Sequence, residues 1–451
     1  MLETAIAPES ELTPSASDNS LLVDLYQLTM IACYVGEGLA DKQASFELFV
    51  RQLPEGFGYL IAMGLQQGLD YLQNLCFTPQ QIASLKATGL FENAPDRFWS
   101  ILESGRFTGD VWAVPEGTAI FANEPLLRVD APLWQAQLVE TYLLNTLNYQ
   151  TLIATRAARL RDIAGTEAKL LEFGTRRAFS PQGALWAARA ALAGGLDATS
   201  NVLAALQLNQ KPAGTMAHAL VMAFNAVAGS EDEAFAAFQH YFPGAPLLID
   251  TYDTVAAAQR LAQQIEAGTG EVRGIRLDSG DLVELSQKAR SLLPDVAIFA
   301  SGDLDEREIA RLKAAGACID GYGLGTKLVT GAPVNGVYKL VEIDGVPTMK
   351  QSSQKATYPG RKQVFRTPGK CDCLALVSEE ANECEQPLLE RVMERGERHY
   401  PRESIEQIRD RVAAAVATLP SQTRQLDNPT PFEVKISSQL QQLAEKIGSR
   451  Q

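Results

Sequence analysis

Short apolar runs alternate with amphipathic stretches over the middle of the chain, between about residues 165 and 325. The runs with the length of buried strands lie at 168–173, 196–199, 213–217, 246–249, 274–277, 296–300 and 317–322. Apolar residues recur at helical spacing at 183–192, 254–265, 281–292 and 305–315. Strands that alternate with helices predict right-handed β-α-β units and a parallel sheet. The α/β pattern favours an incomplete or irregular (β/α) barrel, and a doubly wound open sheet is the alternative.

The segments on either side have different patterns. Helical spacing at 21–38, alternation at 43–51 and short β runs broken by turns from residue 107 predict an N-terminal α+β accessory domain at 21–131. A predicted hairpin with Asp344-Gly345 at its turn returns to this domain, which therefore includes about 335–370. The barrel is assigned to 132–334, and a mainly helical region to 371–451. Residues 1–20, rich in Ser, Pro, Ala and acidic residues, are predicted to be a disordered leader.

Composition and charge exclude several classes of protein. The chain has 451 residues, 46% of them hydrophobic and 21% charged, which suits a globular protein with a large core. The net charge of −14 argues against nucleic acid as a partner, because binding to the phosphate backbone depends on concentrated Lys and Arg. No apolar stretch approaches the length of a membrane span, so no membrane partner is expected. The six cysteines are too sparse for a disulfide framework, which favours a cytoplasmic location.

Polar side chains or glycines follow each apolar run. The clusters are Glu172 with Arg176; Thr199, Ser200 and Asn201; His218; Asp250, Thr251 and Asp253; Arg276, Asp278 and Ser279; Ser301, Gly302 and Asp303; and Gly323, Gly325 and Thr326. The carboxyl ends of barrel strands converge on one face, so these residues are expected to become neighbours. Helix capping accounts for part of the Ser, Thr and Asp content, and it could explain any one cluster, but it explains seven clusters less well.

His218 is one of only three histidines, and it stands where an apolar run meets a helical one. A histidine titrates near neutral pH and backbone N–H groups at a helix start attract anions, so His218 could act as base, nucleophile or phosphate acceptor. A hydrogen-bonded core or capping histidine is the alternative. Asp250 and Asp278 could hold Mg²⁺ through water, because this ion prefers oxygen ligands and retains waters around polyphosphates.

Glycines near the predicted strand ends indicate phosphate binding. Gly302, Gly323 and Gly325 could present backbone N–H groups to a phosphate. Neither GxxxxGK[ST] nor an opening GxGxxG is present, which excludes a P-loop and a Rossmann site. With Phe173 and the arginines at 176 and 276, the predicted site fits an anionic aromatic ring together with a phosphorylated sugar.

Basic residues gather after the predicted hairpin, at Lys350, Lys355, Arg361, Lys362 and Arg366. A local basic loop in an acidic protein suits a phosphorylated small molecule, although a solvated charge run is the default interpretation. From the residues alone, the favoured interpretation is that Tyr26 is a half-buried helix residue and Arg51 a solvated charge at a strand end.

Several motifs, in order along the chain, resemble the nicotinate phosphoribosyltransferase family. They are DLYQLTM, FELFVR, EFGTRR, GTMAH, IDTYDT, IRLDSGDL, ASGDLDE and GYGLGTKL. The resemblance implies transfer of phosphoribose from phosphoribosyl pyrophosphate to nicotinate, giving nicotinate mononucleotide and pyrophosphate for NAD synthesis. It also implies ATP hydrolysis coupled through a phosphohistidine, Mg²⁺, a type II phosphoribosyltransferase fold and a homodimer with shared active sites.

The resemblance assigns roles to matching residues. His218 would be phosphorylated, and Phe173 with Tyr26 of the partner subunit would enclose the pyridine ring. Arg176 and Arg276 would lie near the carboxylate of nicotinate and the ribose phosphates, while Asp250 and Asp278, with Ser279 beside them, would face Mg²⁺-pyrophosphate or ribose hydroxyls. Gly302, Gly323 and Gly325, next to Thr326, would bind the 5′-phosphate. Arg51 and the basic loop at 350–366 would make contacts across the dimer.

Ser200 separates two related activities. The resembling nicotinamide phosphoribosyltransferases place an aspartate there, which would repel the carboxylate of nicotinate by about 1 kcal/mol or more. Ser200 removes this repulsion and can donate a hydrogen bond, which favours the acid. A quinolinate phosphoribosyltransferase would need more cations, and a barrel lyase or aldolase would need a Schiff-base lysine, for which Lys327 is the candidate.

Overall fold

The computed structural model describes residues 12–351 and 357–449. Within these ranges the strands form a seven-stranded, a six-stranded, a four-stranded and a two-stranded sheet. None of the helices in the described part combines the length and the apolar character that crossing a membrane requires.

The first part of the chain is an α+β unit. Its helices are a 3-10 helix at Ala16–Leu21, α1 Leu25–Gly36, α2 Leu65–Gln73, α3 Pro79–Ala87, α4 Asp96–Ser104, α5 Leu133–Leu138 and α6 Glu140–Ala164. Its strands are β1 Gln43–Val50, β2 Leu60–Ile61, β3 Asp110–Ala113, β4 Ala119–Ile120 and β5 Pro125–Pro132. Leu143, Leu147 and Ile153 on α6 are buried, and they belong to the same hydrophobic core cluster as the residues of the parallel sheet that follows.

The predicted disordered leader at 1–20 differs from the structure in its last residues. Residues 1–11 lie outside the described ranges, but the 3-10 helix begins at Ala16. Ser20 is buried and its hydroxyl accepts a hydrogen bond from the backbone N–H of Cys76 at 3.0 Å. The side chain of Gln81 donates to the carbonyl of Ser17 at 3.0 Å. These contacts order a segment whose composition alone predicts disorder.

The middle of the chain alternates strands and helices. Its elements are β6 Lys169–Glu172, α7 Pro181–Ala193, β7 Ala198–Thr199, α8 Val202–Gln207, α9 His218–Ala228, α10 Glu231–Tyr241, β8 Leu247–Leu248, α11 Thr254–Glu266, β9 Gly274–Leu277, α12 Leu282–Leu292, β10 Ala297–Ser301, α13 Glu306–Ala314, β11 Gly321–Leu324 and α14 Thr326–Val329. The strands are parallel and lie in the order β7-β6-β11-β10-β9-β8. The α/β prediction is confirmed.

The predicted barrel is not confirmed, because the described residues form no closed ring of strands. Strand β6, the first of the region, pairs with β11, the last, but β7 and β8 remain the edges of the sheet. The strand predicted at 213–217 is absent from this ladder. Ala213 N donates one hydrogen bond to Thr199 O at 2.9 Å, and then the chain enters α9. Pro212 and Gly214 flank this contact, and both residues weaken a strand.

The last part of the chain completes the antiparallel sheet and adds a small mixed one. Its elements are β12 Gly336–Ile343, β13 Val346–Pro347, β14 Lys362–Thr367, β15 Cys371–Leu376, β16 Gln386–Pro387, β17 Glu390–Glu394, β18 Glu397–Arg398, α15 Ile405–Thr418, β19 Val434–Ile436 and α16 Ser438–Gly448. The seven-stranded order is β13-β12-β1-β5-β3-β17-β18, and the four-stranded order is β16-β14-β15-β19. The region at 371–451 is not mainly helical as predicted, since strands β15–β18 precede α15 and β19 lies between α15 and α16.

A buried ion pair holds the small sheet against the antiparallel one. Lys362 Nζ lies 2.8 Å from Glu47 Oε2, and both side chains are almost fully buried. Arg361 Nε lies 3.0 Å from Glu342 Oε1. Arg366 pairs with a buried aspartate of β15, and Lys355 falls outside the described residues. Arg361, Lys362 and Arg366 thus have carboxylate partners within the fold, while phosphate binding by the basic segment stays a prediction.

Candidate active site

A cavity of about 660 Å³ opens at the carboxyl edge of the parallel sheet. The predicted site residues that line it are Phe173, Arg176, Ser200, His218, Arg276, Asp278, Gly302, Gly323, Gly325 and Thr326. The other lining residues are Thr175, Arg177, Gly214, Thr215, Met216, Ala217, Ser301 and Asp303. The parallel sheet therefore gathers residues that are far apart in sequence, as the strand-end pattern predicts.

Phe173 presents its ring to the cavity directly after β6. Its backbone N–H donates to Leu324 O at 2.7 Å, which fixes the turn beside β11. A Cβ atom on Gly323 would lie 2.6 Å from two atoms of the Phe173 ring. Glycine at this position thus leaves the space that the ring occupies.

Arg276 is a largely buried cation beside the cavity. Its guanidinium donates to Thr215 Oγ1 at 2.7 Å, while its Nε has no hydrogen-bond partner among the described residues. Burial lowers the pKa of Arg276 from its usual value, and the nearby Asp278 and Asp250 carboxylates oppose this shift. A buried guanidinium with an unused donor suits an anionic ligand group.

Two carboxylates follow β8 and β9. Asp250 Oδ2 accepts hydrogen bonds from Asp278 N at 2.7 Å and from Ser279 Oγ at 2.8 Å. Asp250 Oδ1 is buried and has no hydrogen-bond partner within the described ranges. Asp278 Oδ1 accepts from Ser301 Oγ, and its Oδ2 faces His218. Asp278 lines the cavity, whereas Asp250 and Ser279 do not line it, and Asp250 positions Asp278 through the hydrogen bond to its backbone N–H.

These two carboxylates are compatible with a weakly held magnesium ion. The described residues contain no group of three or more His, Cys, Asp and Glu side chains arranged for a metal. The buried Asp250 Oδ1 without a partner and the half-exposed Asp278 offer the oxygen donors that Mg²⁺ prefers, with water and phosphate oxygens as the remaining ligands. The donor set thus fits an ion that is bound together with a phosphorylated substrate.

Gly302 shapes the turn after β10. Its φ angle is +94°, and a Cβ atom there would lie 2.5 Å from the carbonyl oxygen of Asp278. Both the backbone conformation and the close approach require glycine. The turn therefore lies directly against the backbone that carries the Asp278 carboxylate.

His218 is the first residue of α9 and is about 39% exposed in the cavity wall. Its Nδ1 forms a hydrogen bond of 3.1 Å with Thr251 Oγ1. Its Nε2 lies 3.9 Å from Asp278 Oδ2, which is too long for a hydrogen bond. The ring is thus held through Nδ1, and Nε2 is available to a ligand.

Besides Asp250 and Ser279, two predicted site residues lie outside this cavity within the single chain. Tyr26 is on α1, and burial, with the Glu140 carboxylate nearby, raises the pKa of Tyr26 to about 12. Arg51 follows β1, with its guanidinium 5.8 Å from the Phe49 ring centroid. Neither residue lines the cavity.

Thr215 and Arg177 were not predicted as site residues. Thr215 lies three positions before His218 and accepts from Arg276, and Arg177 follows the predicted Arg176. A polar residue on the approach to a candidate histidine and a second arginine in the same motif are the signals that could have indicated them. Lys327, the candidate Schiff-base lysine, does not line the cavity. Its Nζ lies 2.8 Å from Asp305 Oδ2, which raises the pKa of the lysine.

Three family models match the chain. The nicotinate phosphoribosyltransferase N-terminal domain matches residues 21–148, the family's own model matches residues 168–299, and its C-terminal domain matches residues 361–444. Together these matches cover most of the chain, including strands β6 to β9 of the parallel sheet.

Named relatives agree with these matches. A nicotinate phosphoribosyltransferase of Bacillus subtilis is 43% identical, covering 81% of this chain and 77% of that protein. One from Mycobacterium tuberculosis is 40% identical, covering 93% of this chain and 92% of its own length.

Solved structures give the same result. The crystal structure of human nicotinic acid phosphoribosyltransferase has a TM-score of 0.83 at 30% identity, with 94% of this chain and 99% of that chain covered. A nicotinate-nucleotide pyrophosphorylase from Pyrococcus furiosus, 23% identical, shares the fold with a TM-score of 0.76 over 91% of this chain and 99% of that one.

Proposed function

The chain belongs to the nicotinate phosphoribosyltransferase family, and we propose that it transfers phosphoribose from phosphoribosyl pyrophosphate to nicotinate, giving nicotinate mononucleotide and pyrophosphate for NAD biosynthesis. One observation supports this function most strongly. A single cavity is lined by an aromatic ring, three arginines and the glycine turns of β10 and β11. These groups suit an anionic pyridine ring and a phosphorylated sugar at the same time.

The pyridine end is assigned to Phe173, Arg176 and Ser200. The Phe173 ring offers a stacking face, and Arg176 supplies a cation for the carboxylate of nicotinate. Ser200 lines the cavity without adding a negative charge, so that carboxylate is not repelled there. The side chains at this end thus favour the acid over its amide.

The sugar-phosphate end is assigned to the glycine turns and Arg276. Gly302, Gly323 and Gly325, with Thr326 beside them, would receive the 5′-phosphate, since their backbones border the cavity without side chains. Asp250 and Asp278 would hold Mg²⁺, which when bound neutralises charge on the departing pyrophosphate. As the C1′–O bond breaks and the bond from the pyridine nitrogen to C1′ forms, the unused donor of Arg276 can bind the leaving oxygens.

His218 is assigned as the acceptor of the γ-phosphoryl group of ATP. Its Nδ1 is engaged by Thr251, so Nε2 would form the N–P bond as ADP leaves. The phosphorylated ring would stand at the N-terminus of α9, where the helix dipole favours an anion. Water later cleaves the N–P bond and releases phosphate, which would couple ATP hydrolysis to the transfer.

We assign a homodimer with shared sites, because Tyr26 and Arg51 lie away from the cavity of their own chain. Helices α8 and α9 border the cavity region and expose apolar side chains, including Leu206 and Val227. Exposed apolar area of this kind suits contact with a second copy. Mixing inactive Tyr26→Ala and Arg276→Ala proteins is expected to restore part of the activity by subunit exchange, and no recovery after verified exchange would contradict shared sites.

The choice of substrate is tested by product formation. The purified protein is incubated with phosphoribosyl pyrophosphate, Mg²⁺ and either nicotinate, nicotinamide or quinolinate, and the mononucleotides are separated chromatographically. Nicotinate is expected to be the preferred substrate. Equal turnover of nicotinamide, or preferred turnover of quinolinate, would contradict the assignment of the pyridine end. An aldolase-type activity lacks support, because the only candidate lysine considered above is paired with Asp305.

A further inference from the structure

Glu172 is a buried carboxylate at the end of β6, only 1% exposed, to which no substrate role is assigned above. The salt bridges within the described residues include none to this side chain, so no cation offsets its burial. Burial accordingly raises the pKa of Glu172, while hydrogen bonds from Thr199 and Gly174 oppose the shift. A buried carboxylate with only neutral donors is costly, so its contacts indicate what it does.

The two carboxylate oxygens of Glu172 connect the ends of β6 and β7. Oε2 accepts from Thr199 Oγ1, and Oε1 accepts from the backbone N–H of Gly174. The backbone repeats this connection, because Ser200 N donates to Glu172 O at 2.9 Å. Thr199 Oγ1 in turn accepts from Asn201 N at 2.9 Å. The residues on either side of Ser200 are therefore held by the same side-chain contact.

The residues that this contact positions all belong to one end of the cavity. Phe173 and Arg176 follow Glu172 directly, and the turn between them is closed by Arg177 N donating to Gly174 O at 2.8 Å. Ser200 follows Thr199. The glycine turns of β10 and β11, assigned to the sugar phosphate, receive no hydrogen bond from Glu172 or Thr199 among the described residues.

We propose that Glu172 and Thr199 form a positioning pair that sets the separation between the Phe173–Arg176 turn and Ser200, and so determines the affinity for the pyridine substrate without acting on phosphoribosyl pyrophosphate. Neither side chain lines the cavity, so both act through the residues that do. The inference rests on the proposed function for the identity of the two substrates.

Thr199→Val tests the pair, because it removes the hydroxyl and keeps the shape. The KM for nicotinate is expected to rise about tenfold, the factor that corresponds to about 1.4 kcal/mol for one buried hydrogen bond. The KM for phosphoribosyl pyrophosphate is expected to stay within about twofold, since the Glu172 and Thr199 side chains make no hydrogen bond to the glycine turns at that end among the described residues. Thr199→Ser, which restores the donor, is expected to return the KM for nicotinate to near the wild-type value.

Thr155→Val is the matched control. Thr155 is equally buried, and its hydroxyl also accepts one backbone N–H, from Ile61 at 2.8 Å, and donates once, to Thr151 O at 2.6 Å. It lies on α6, away from the cavity lining. The two valine variants are expected to lose similar stability, but only Thr199→Val should change the ratio of the two KM values.

The outcomes separate the two proposals. A wild-type protein that forms no nicotinate mononucleotide would overturn the proposed function. An active wild type, with both KM values raised equally by Thr199→Val or with the same ratio change in Thr155→Val, would overturn the positioning pair and leave the function standing. Failure of Thr199→Ser to recover nicotinate affinity would also overturn it.

Discussion

Gly323→Ala should weaken nicotinate binding by displacing the Phe173 ring. The added Cβ would lie 2.6 Å from two ring atoms and 3.2 Å from Ser301 Cβ. Carbon atoms in contact prefer about 3.5–4.0 Å, so the ring must withdraw by about 1 Å. Overpacking of this size costs about 1–3 kcal/mol. Because Phe173 borders open space in the cavity, we expect the displaced ring to move into that space, at the expense of the bound pyridine.

The expected result is a rise of roughly tenfold or more in the KM for nicotinate, since about 1.4 kcal/mol corresponds to a factor of ten. The assay measures initial rates of mononucleotide formation with each substrate varied in turn, and thermal unfolding is recorded alongside. Gly214→Ala is the control, because it also adds a methyl group to the cavity wall but its Cβ would come no closer than 3.9 Å to Ser200 Cβ. An unchanged nicotinate KM in Gly323→Ala, or an equal rise in Gly214→Ala, would refute the placement of the ring.

Two further predictions concern stability. Lys362→Met should lower the free energy of unfolding in urea by about 3–5 kcal/mol, because it leaves the buried Glu47 charge unpaired. Breaking the exposed Lys86–Glu103 pair should lower it by less than about 1 kcal/mol. Equal losses in the two cases would contradict this prediction. Burial, with Asp372 nearby, raises the pKa of Glu124 well above its ordinary 4.5, so its contribution to stability is full below that value and is lost as the pH rises towards the raised pKa. Glu124→Gln cannot ionise and should therefore gain stability relative to the wild type as the pH rises above 4.5, by up to about 1.4 kcal/mol per pH unit, and a pH-independent difference in thermal unfolding would contradict the raised pKa.

The residues at the strand ends were predictable because the alternation of strands and helices in a parallel sheet can be read from short stretches of sequence. The segment at 274–277 is β9 within its predicted bounds, and α11 and α12 begin within one residue of theirs. Residues that follow parallel strands meet at the same edge of the sheet, which is why Phe173, after β6, and Asp278, after β9, share one cavity.

The predictions that differ from the structure depend on contacts between segments that are far apart in the sequence. The run at 213–217 is apolar enough for a strand, yet it makes a single ladder bond to Thr199 and leaves the sheet open. Lys362 resembles a solvated charge in sequence, but its partner Glu47 lies on a strand more than 300 positions earlier. Glu172 was recognised only as a member of a strand-end cluster, because its bonds to Thr199 and Gly174 become visible only in three dimensions.

ATP-dependent formation of nicotinate mononucleotide by the wild-type, His218→Ala and His399→Ala proteins tests the role of this cavity most directly. His399 is exposed and lies 3.6 Å from Glu394, away from the cavity, so its replacement controls for the loss of a histidine. With nicotinate, phosphoribosyl pyrophosphate and Mg²⁺, the wild type and His399→Ala are expected to form product faster when ATP is added, and to release phosphate. His218→Ala is expected to retain only the ATP-independent rate. Full stimulation by ATP in His218→Ala would contradict the assignment of His218 as the phosphoryl acceptor.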